Sequence, residues 1–223
     1  MKPSFLQMVR SRLAHMTILR KAEYRSLVGT PLSGRVLDLG GRKGSAYYQL
    51  FTGDFSITTA NLSSDSDIVC DFEQPLPIES EKYDAVLLIN VLEHIFEYRQ
   101  LLGEVARVLR PGGMVIIVVP FLFPYHASPD DFHRYTAKAL EHMLVVAGFE
   151  GAHITTLGSG VCASCWMLIE RLLPRFLSPL SRISNPFVAL CDWLFSRLAH
   201  LLGKKYLASD YALGYTAVAR LPV

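Results

Sequence analysis

The stretch Arg35–Gly44 constrains the fold of this chain more than any other, because it joins an apolar run to a glycine-rich loop. The run ends near an acid, Asp38, and glycines follow at positions 40, 41 and 44. Glycine adopts positive φ angles readily and lets the backbone approach a ligand closely. The next residues, Ser45–Phe51, read as a helix whose start would offer free N–H groups and a positive dipole end. Strand, glycine loop and helix in this order predict a cradle for a small cofactor.

Strands alternate with helices along the chain. Apolar and alternating patterns predict strands at 35–38, 55–61, 67–70, 83–90, 114–119, 152–157 and 211–221. Helices are predicted at 45–51, at 97–110 with Pro111-Gly112-Gly113 ending it, at 136–147 and over 161–203. This alternation is typical of a Rossmann-like, doubly wound α/β sheet, in which ligands bind at the carboxyl ends of the strands.

The spacing of the glycines argues against a nicotinamide dinucleotide. A dinucleotide-binding loop reads G-x-G-x-x-G after its first strand, whereas this loop carries Gly40, Gly41 and Gly44, with Asp38 two residues before the first of them. Further segments follow in order: Cys70-Asp71-Phe72 before Pro75, Tyr83-Asp84-Ala85-Val86, Asn90-Val91-Leu92-Glu93-His94-Ile95, and Leu109-Arg110-Pro111-Gly112-Gly113-Met114-Val115.

With these motifs the chain resembles class I S-adenosylmethionine-dependent methyltransferases of the type 11 kind, over Val36–Pro120. The resemblance implies S-adenosyl-L-methionine as the cofactor and a seven-stranded sheet whose last strand is antiparallel. It also implies which residues bind the cofactor. These are Asp38 toward the ammonium group, Gly40, Gly41 and Gly44 beside the methionine part, Asn61 at the ribose, Asp71 at the adenine amino group with Phe72 as apolar cover, and Asn90 and His94 nearby.

Two residues depart from the family pattern. Arg42 replaces the middle glycine of the loop, and Asn61 stands where the family places an acid that takes both ribose hydroxyls. An amide can accept one hydrogen bond and donate another, but it is a weaker partner than a carboxylate. A second interpretation therefore stays open, namely a non-catalytic cofactor- or partner-binding module with a degenerate site.

The segment Pro120–Thr136 concentrates polar side chains after a predicted strand, so we expect it to lie over the cofactor. Methyl transfer to a hydroxyl needs a proton acceptor, and histidine is the most common one near neutral pH. His126 is the first candidate base and His133 the second, with Asp130 or its neighbour Asp131 orienting a histidine. Arg134 and Tyr135 fit a role in fixing the loop at least as well as one in catalysis. His126, Asp130 and His133 are of a type that can bind a metal, but their spacing fixes no ligand geometry, so no metal site is predicted.

The same segment resembles that of a methyltransferase subgroup associated with cell-surface polysaccharide biosynthesis. The resemblance implies methyl transfer to an oxygen of a small-molecule, glycan or lipid-linked acceptor. A nucleic acid is not expected, because the middle of the chain is acidic and the N-P-P-Y or D-P-P-Y signature of base-amino methyltransferases is missing.

Positive charge and large apolar residues coincide in two segments. Residues 1–30 hold six basic residues against one acidic residue, and residues 161–205 hold six against two. We predict an amphipathic helical arm at 1–30, a cofactor-binding core at 31–160, a helical insertion at 161–205 and the last core strand within 206–223. The insertion suits a lid, a dimer face or a membrane surface about equally, and the oligomeric state stays open.

Location is predicted from what the sequence lacks. Cys162 and Cys165 form a lone C-x-x-C pair, and no second pair completes a zinc set, so the four cysteines read as reduced thiols. Arg10 and Arg12 interrupt the apolar residues near the N-terminus, where a signal peptide would be uninterrupted. The prediction is a cytoplasmic protein, with peripheral contact at the inner membrane face as an extension.

Overall fold

The computed structural model describes residues 16–174 and 180–223. Residues 1–15 of the predicted arm and 175–179 of the predicted insertion lie outside the described residues. Two compact units are present. The helical unit holds residues 16–26, 122–124, 156–174 and 180–214, and the sheet unit holds residues 27–121, 125–155 and 215–223. The four domain boundaries expected from the sequence stay a prediction.

Seven strands form one sheet. Their bounds are β1 Gly34–Leu39, β2 Phe55–Asn61, β3 Ile68–Val69, β4 Tyr83–Ile89, β5 Leu109–Pro120, β6 Glu150–Leu157 and β7 Gly214–Arg220, and their order is β3-β2-β1-β4-β5-β7-β6. The pairs β1–β2, β1–β4, β2–β3 and β4–β5 are parallel. Gly112 N donates to Pro222 O and Leu221 N donates to Gly113 O, in antiparallel sense. The predicted Rossmann-like sheet with an antiparallel last strand is confirmed.

The centre of the sheet is apolar on both faces. Val86, Leu87 and Leu88 of β4 are fully buried, as are the residues of β5 from Val115 to Val119. A parallel strand covered on both faces needs such a continuous apolar run. The strand order reverses between β1 and β4, and a reversal of this kind leaves a crevice at the carboxyl ends of the strands. The fold therefore places the expected ligand site beyond Leu39 and Ile89.

One predicted helix ends earlier than the sequence indicates. The helix expected over Glu97–Arg110 runs over Tyr98–Val108 (α2), and β5 begins at the next residue. Long-range pairing is the reason, because Tyr83 pairs with Leu109 while Ala85 pairs with Met114. The residues between Leu109 and Met114 form a bulge in β5, with Gly112 at φ 75°. Pro111-Gly112-Gly113 therefore shapes a strand and does not end the helix.

The other helices of the sheet unit are short. The run after the glycine loop forms a 3₁₀ helix at Ala46–Leu50, and a second 3₁₀ turn covers Leu92–His94. Helix α3, Ala137–Val146, begins as predicted after Thr136, whose Oγ1 accepts a hydrogen bond from Ala139 N at 3.2 Å.

The helical unit contains α1 (Ile18–Leu27), α4 (Val161–Leu172) and α5 (Leu180–Leu201). Leu19, Met167 and Leu213 form its buried cluster. The Asp192 carboxylate of α5 accepts hydrogen bonds from Cys162 N and Ala163 N at 2.8 and 2.9 Å, which ties α5 to the start of α4. None of the helices in the described ranges is long and apolar enough to cross a membrane.

Candidate active site

A cavity of about 470 Å³ opens at the carboxyl ends of β1, β2 and β4, inside the sheet unit. Six of the residues predicted to bind the cofactor line it: Gly40, Asn61, Asp71, Phe72, Asn90 and His94. Residues 128–130 and Phe132 line the opposite wall. The cavity thus lies between the glycine loop after β1 and the segment Pro120–Thr136, which was predicted to cover the cofactor.

The glycine loop is held close to its neighbours. Gly40 has φ 87°, and its N–H donates to Ala60 O of β2 at 2.8 Å. A Cβ atom at this position would lie 2.5 Å from Val91 Cγ2. Gly44 has φ 74°, but a Cβ atom there would meet no atom within 4 Å, and the residue stands outside the cavity lining. Conformation and space therefore both require glycine at position 40.

Asp38 is fully buried beneath the loop rather than in the cavity wall. Its Oδ2 accepts hydrogen bonds from the Tyr47 and Tyr48 hydroxyls at 2.5 and 2.7 Å. Burial raises the pKa of Asp38 to about 6, although the two hydroxyls oppose the increase. Gly41 packs on the same carboxylate, since a Cβ atom there would overlap with Oδ2.

The two tyrosines were not predicted from the sequence. They stand on the 3₁₀ helix Ala46–Leu50, which brings both hydroxyls back to the acid at the end of β1. Among the described residues, Asp38 Oδ1 has no hydrogen-bond partner. This buried oxygen is an acceptor that a cationic or N–H ligand group could satisfy. The only sequence signal is the adjacent pair of tyrosines after the glycine loop.

Asn61 joins the end of β2 to the glycine loop. Its Nδ2 donates to Gly40 O at 3.0 Å, and its Oδ1 accepts from Leu62 N at 2.7 Å. A carboxylate in the same place could accept from Leu62 N but could not donate to Gly40 O. The departure from the family pattern therefore has a structural reason in this chain.

The adenine side predicted from the sequence lies after β3. Phe72 is buried, while Asp71 is exposed at the cavity and accepts a hydrogen bond from Glu73 N at 3.0 Å through Oδ1. Glu73 binds the start of α2, because its carboxylate accepts from Phe96 N at 2.6 Å and from Glu97 N at 3.1 Å. These bonds fix the segment that carries Asp71 and Phe72.

A carboxylate and two imidazoles meet beside the opposite wall. Asn90, at φ 55°, turns the chain from β4 into the 3₁₀ turn that carries Glu93 and His94. Glu93 is fully buried, and its Oε1 lies 3.7 Å from His94 Nε2 and 4.0 Å from His126 Nε2. The two rings meet edge to face, with centroids 5.0 Å apart. We call Glu93, His94 and His126 the histidine cluster.

The segment around residue 130 hydrogen-bonds the His94 ring and approaches the His126 ring. His94 Nδ1 lies 2.6 Å from Asp130 O, and because a carbonyl only accepts, this nitrogen carries the hydrogen. His126 Nδ1 lies 3.4 Å from Asp131 Oδ2, which also accepts from His126 N at 2.9 Å. Both rings therefore present Nε2 toward Glu93.

Asp131 is in turn fixed by Arg134. The guanidinium donates to both carboxylate oxygens, at 2.5 and 2.6 Å, and the side chain of Asp131 is only 1% exposed. This pairing lowers the pKa of Asp131 to about 2. The role of Arg134 as a clamp on the loop, which was one interpretation of the sequence, agrees with these bonds.

The predicted catalytic residues occupy different places. His94 lines the cavity, and His126 contacts His94 without lining it. Asp130 is exposed at the cavity wall. His133 packs among aromatic rings, 5.4 Å from Tyr98 and 5.3 Å from Tyr135 between centroids, and its Nε2 lies 3.3 Å from Phe96 O. Glu93 was not among the site residues predicted from the sequence, although the adjacent pair Glu93-His94 after a buried strand was a usable signal.

The residues at this cavity fit S-adenosylmethionine on three observations. Gly40 provides a close backbone approach, the buried Asp38 Oδ1 is an acceptor without a described partner, and Asp71 and Phe72 offer a carboxylate beside an apolar surface. An ammonium group, an amino group and an aromatic ring on one ligand match this donor and acceptor set. Asp38 would need to reach the ligand past the tyrosine hydroxyls.

Comparisons with known proteins agree with this fit. Residues 30–117 match the sequence profile of the methyltransferase domain family. A protein of Mycolicibacterium smegmatis named "Probable S-adenosylmethionine-dependent methyltransferase" is 33% identical over 81 residues, which are 34% of this chain and 32% of that protein. The O-methyltransferase cnsE of Penicillium expansum is 30% identical over 101 residues, or 40% of this chain and 36% of that protein. The chain thus spans about a third of the length of these curated relatives.

A solved structure extends the likeness to the whole fold. Phosphoethanolamine N-methyltransferase 2 of Haemonchus contortus, in complex with phosphomonomethylethanolamine and S-adenosylhomocysteine, superposes with a TM-score of 0.54 at 19% identity. The match covers 88% of this chain and 49% of that one. Residues 30–117 therefore carry the sequence pattern of a methyltransferase domain, the sheet has the class I methyltransferase fold, and S-adenosylmethionine is the cofactor of such domains.

Proposed function

We propose that this chain is an enzyme that transfers a methyl group from S-adenosylmethionine to a hydroxyl oxygen of its acceptor. One observation carries the proposal, which is the composition of the cavity. Residues with the chemistry to hold the cofactor line it together with the His94 imidazole, and Glu93 and His126 contact that imidazole from outside the lining. Methyl transfer is a displacement at carbon, in which the enzyme mainly has to align the acceptor oxygen with the methyl group and the sulfur.

The cofactor side is assigned to residues of β1, β2 and the segment after β3. Gly40 leaves room for the ligand, Asp71 offers an acceptor for an amino group, and Phe72 covers an aromatic ring. Asp38 supports the loop at Gly41, and its buried Oδ1 is an acceptor that the ammonium group would reach only on entering beneath the loop. When bound, S-adenosylmethionine supplies an electrophilic methyl group on a positively charged sulfur.

We assign to the histidine cluster the role of accepting the proton of the acceptor hydroxyl. A hydroxyl must lose its proton to become a good nucleophile, and a positioned base contributes typically 10²–10⁴-fold to such a step. Among the residues that line the cavity, His94 brings an imidazole to the wall, with Glu93 and His126 directly behind it. The cluster can accept this proton or lower the pKa of the hydroxyl that loses it. Asp130 is placed to contact a polar acceptor beside His94.

Two steps test this function in order. Calorimetry with S-adenosylmethionine, S-adenosylhomocysteine and NAD should give binding of the two sulfur compounds and none of NAD. Transfer of a labelled methyl group to a panel of hydroxyl acceptors should then give O-methyl product, with His126→Ala as the matched variant. If neither sulfur compound binds at millimolar concentration, the proposal of a methyltransferase is contradicted. If only N-methylated product forms, the proposal of an oxygen acceptor is contradicted.

We further propose a glycan or lipid-linked acceptor at the inner membrane face, in line with the resemblance to polysaccharide methyltransferases. The support lies in the helical unit, where large apolar side chains of α5 are exposed, among them Phe187, Trp193, Leu194, Leu198 and Leu201. Arg197 lies over the Trp193 ring at 5.4 Å, so a cation stands beside the apolar surface. Apolar residues flanked by arginine and tryptophan suit the boundary of an anionic bilayer.

Liposome co-sedimentation at low salt tests the membrane contact. Anionic vesicles should retain the protein better than neutral ones, and Leu194→Asp should reduce the retention. Val146→Asp, at an exposed apolar position of α3 in the sheet unit, is the control and should leave retention unchanged. Equal retention by anionic and neutral vesicles would contradict the contact and leave a lid or dimer face as the role of α5.

A second candidate function is a non-catalytic binding module. The observation that favours it is the occupation of Asp38 Oδ2 by two tyrosine hydroxyls, together with the engagement of both ends of the Asn61 amide. The calorimetry separates the two candidates only in part, since a module could bind the cofactor too. Tight binding of S-adenosylhomocysteine without methyl transfer to any acceptor would favour the module.

A further inference from the structure

The histidine cluster has the composition and spacing of a metal site. Among the described residues, one ligand atom each of Glu93, His94 and His126 can be chosen so that all lie within 4.8 Å of one another. The two measured carboxylate-to-imidazole distances are 3.7 and 4.0 Å. Ligand atoms about 2.0–2.1 Å from a tetrahedral Zn²⁺ ion are about 3.3–3.4 Å apart. Small side-chain shifts would therefore bring the three atoms to bonding distance from one ion.

The contacts that each imidazole makes on the side away from Glu93 also favour a metal site. His94 is held through Nδ1 by Asp130 O at 2.6 Å, and His126 has its Nδ1 3.4 Å from the Asp131 carboxylate. Metal-binding histidines usually have one ring nitrogen fixed by a carbonyl or carboxylate oxygen, which orients the other nitrogen toward the ion. Both Nε2 atoms here face Glu93, the negative group of the cluster.

The charges around the cluster can accommodate a cation. The bidentate pair with Arg134 balances the charge of Asp131. Arg134 also interacts with Glu93, so the five groups Glu93, Asp131, Arg134 and the two imidazoles carry a net charge of about −1 when both carboxylates are ionised and the imidazoles are neutral. Two imidazoles and one carboxylate select a first-row transition ion such as Zn²⁺ over Mg²⁺ or Ca²⁺, which prefer oxygen ligands.

We propose that Glu93, His94 and His126 bind one divalent transition-metal ion, of which Zn²⁺ is the expected example. Three protein ligands leave a coordination position open, as in catalytic zinc sites. His94, one of the three ligands, lines the cavity, so the site adjoins the space assigned to the acceptor. The role of the ion rests on the proposed function. In that function the ion would bind the acceptor hydroxyl and lower the pKa of that hydroxyl.

Titration of the full, chelator-treated chain with Co²⁺ tests the binding without any need for activity. We expect one equivalent of Co²⁺ to give visible absorption bands of a nitrogen- and oxygen-ligated ion, and Zn²⁺ to displace it. His94→Ala and His126→Ala should each weaken the binding at least tenfold. His153→Ala, at an exposed histidine of β6, is the control for binding to surface imidazoles and should leave it unchanged.

Glu93 requires a second design, because a change at a fully buried residue can disturb folding. Glu93→Gln keeps the shape and should also weaken Co²⁺ binding at least tenfold, with an unchanged circular dichroism spectrum. If that variant does not fold, His94→Gln, whose side chain lies at the cavity wall, takes its place with the same expectation. Wild-type affinity in the two alanine variants, or an equal loss in His153→Ala, would overturn the metal site.

Calorimetry with S-adenosylhomocysteine on the same samples separates this proposal from the proposed function. Binding of the cofactor product without binding of Co²⁺ would overturn the metal site alone. Binding of Co²⁺ at the cluster without binding of either sulfur compound would support the metal site and contradict the methyltransferase.

Discussion

The two walls of the cavity are built in different ways. On the cofactor side the support of the glycine loop is local, since Asp38, the loop and the tyrosines that bind Asp38 lie within eleven residues of one another. The histidine wall joins distant segments, because Glu93 and His94 contact His126, and His94 contacts Asp130, across more than thirty residues. The first wall is shaped by close packing of backbone, and the second is held by charged and polar side chains.

Two aspartates express this difference most clearly. Burial raises the pKa of Asp38 to about 6, while the Arg134 guanidinium lowers the pKa of Asp131 to about 2. Asp38 has only hydroxyl donors, whereas Asp131 has a paired cation. The same residue type therefore changes charge near pH 6 beneath the glycine loop and stays ionised at all ordinary pH values behind the histidine cluster. The comparison predicts that the two walls respond differently to mutation and to pH.

The largest effect is expected from Arg134→Ala. The change leaves the Asp131 carboxylate, which is 1% exposed, without its cation, and loss of one partner of a buried pair costs about 3–5 kcal/mol. Urea unfolding should detect this decrease in the free energy of unfolding. Lys138→Ala is the matched control, because its pair with Glu141 is exposed and should contribute less than about 1 kcal/mol. Equal small losses in both variants would contradict the assigned role of Arg134.

The next effect concerns the pH dependence of stability at Asp38. Its folded-state pKa of about 6 lies above the ordinary value of 3.8, so the folded state binds this proton more tightly than the unfolded state. The stabilisation is fully present below pH 3.8 and is lost as the pH rises through about 6. A difference of this size between the two pKa values corresponds to about 3 kcal/mol. Urea unfolding between pH 4 and 7 measures the loss.

Two variants make the pH experiment specific. Asp38→Asn removes the titrating group and should flatten the profile between pH 4 and 7. Tyr48→Phe removes a hydroxyl that lowers the pKa of Asp38, so the midpoint should move above pH 6. A wild-type profile in Asp38→Asn would mean that other groups cause the pH dependence.

A catalytic comparison of two histidines comes third. His126 belongs to the histidine cluster, whereas His133 packs among aromatic rings away from the cavity. His126→Ala should lower kcat by roughly 100-fold, or about 2.7 kcal/mol in activation free energy, with an unchanged Kd for S-adenosylhomocysteine. His133→Gln should keep kcat within about threefold of wild type, since His133 neither lines the cavity nor belongs to the histidine cluster. The reverse ranking would transfer the catalytic assignment to His133.

The sequence predicts the cofactor side of the cavity better than the histidine side. The reason is that local sequence patterns describe much of the first, whereas the second depends on contacts between distant segments. Strand Phe55–Asn61 has the predicted bounds because its alternating pattern is local, and the glycine loop follows a motif of consecutive residues. The predicted end of α2 was wrong because Leu109 pairs with Tyr83, which lies far away in the chain. The contacts of Glu93 with His126, and of His94 with Asp130, depend on tertiary structure and carry no local pattern.

The smallest effect concerns Asn61, where the chain departs from the family pattern. Asn61→Asp removes the donor to Gly40 O and should lower the free energy of unfolding by about 1 kcal/mol. The new carboxylate should bind ribose hydroxyls more strongly than an amide, because charge-assisted hydrogen bonds are roughly twice as strong as neutral ones. Calorimetry should therefore give S-adenosylmethionine binding that is several-fold tighter, in a less stable protein. Asn61→Ala is the control and should weaken both properties. If Asn61→Asp binds the cofactor no better than Asn61→Ala, Asn61 supports the loop and does not contact the ribose.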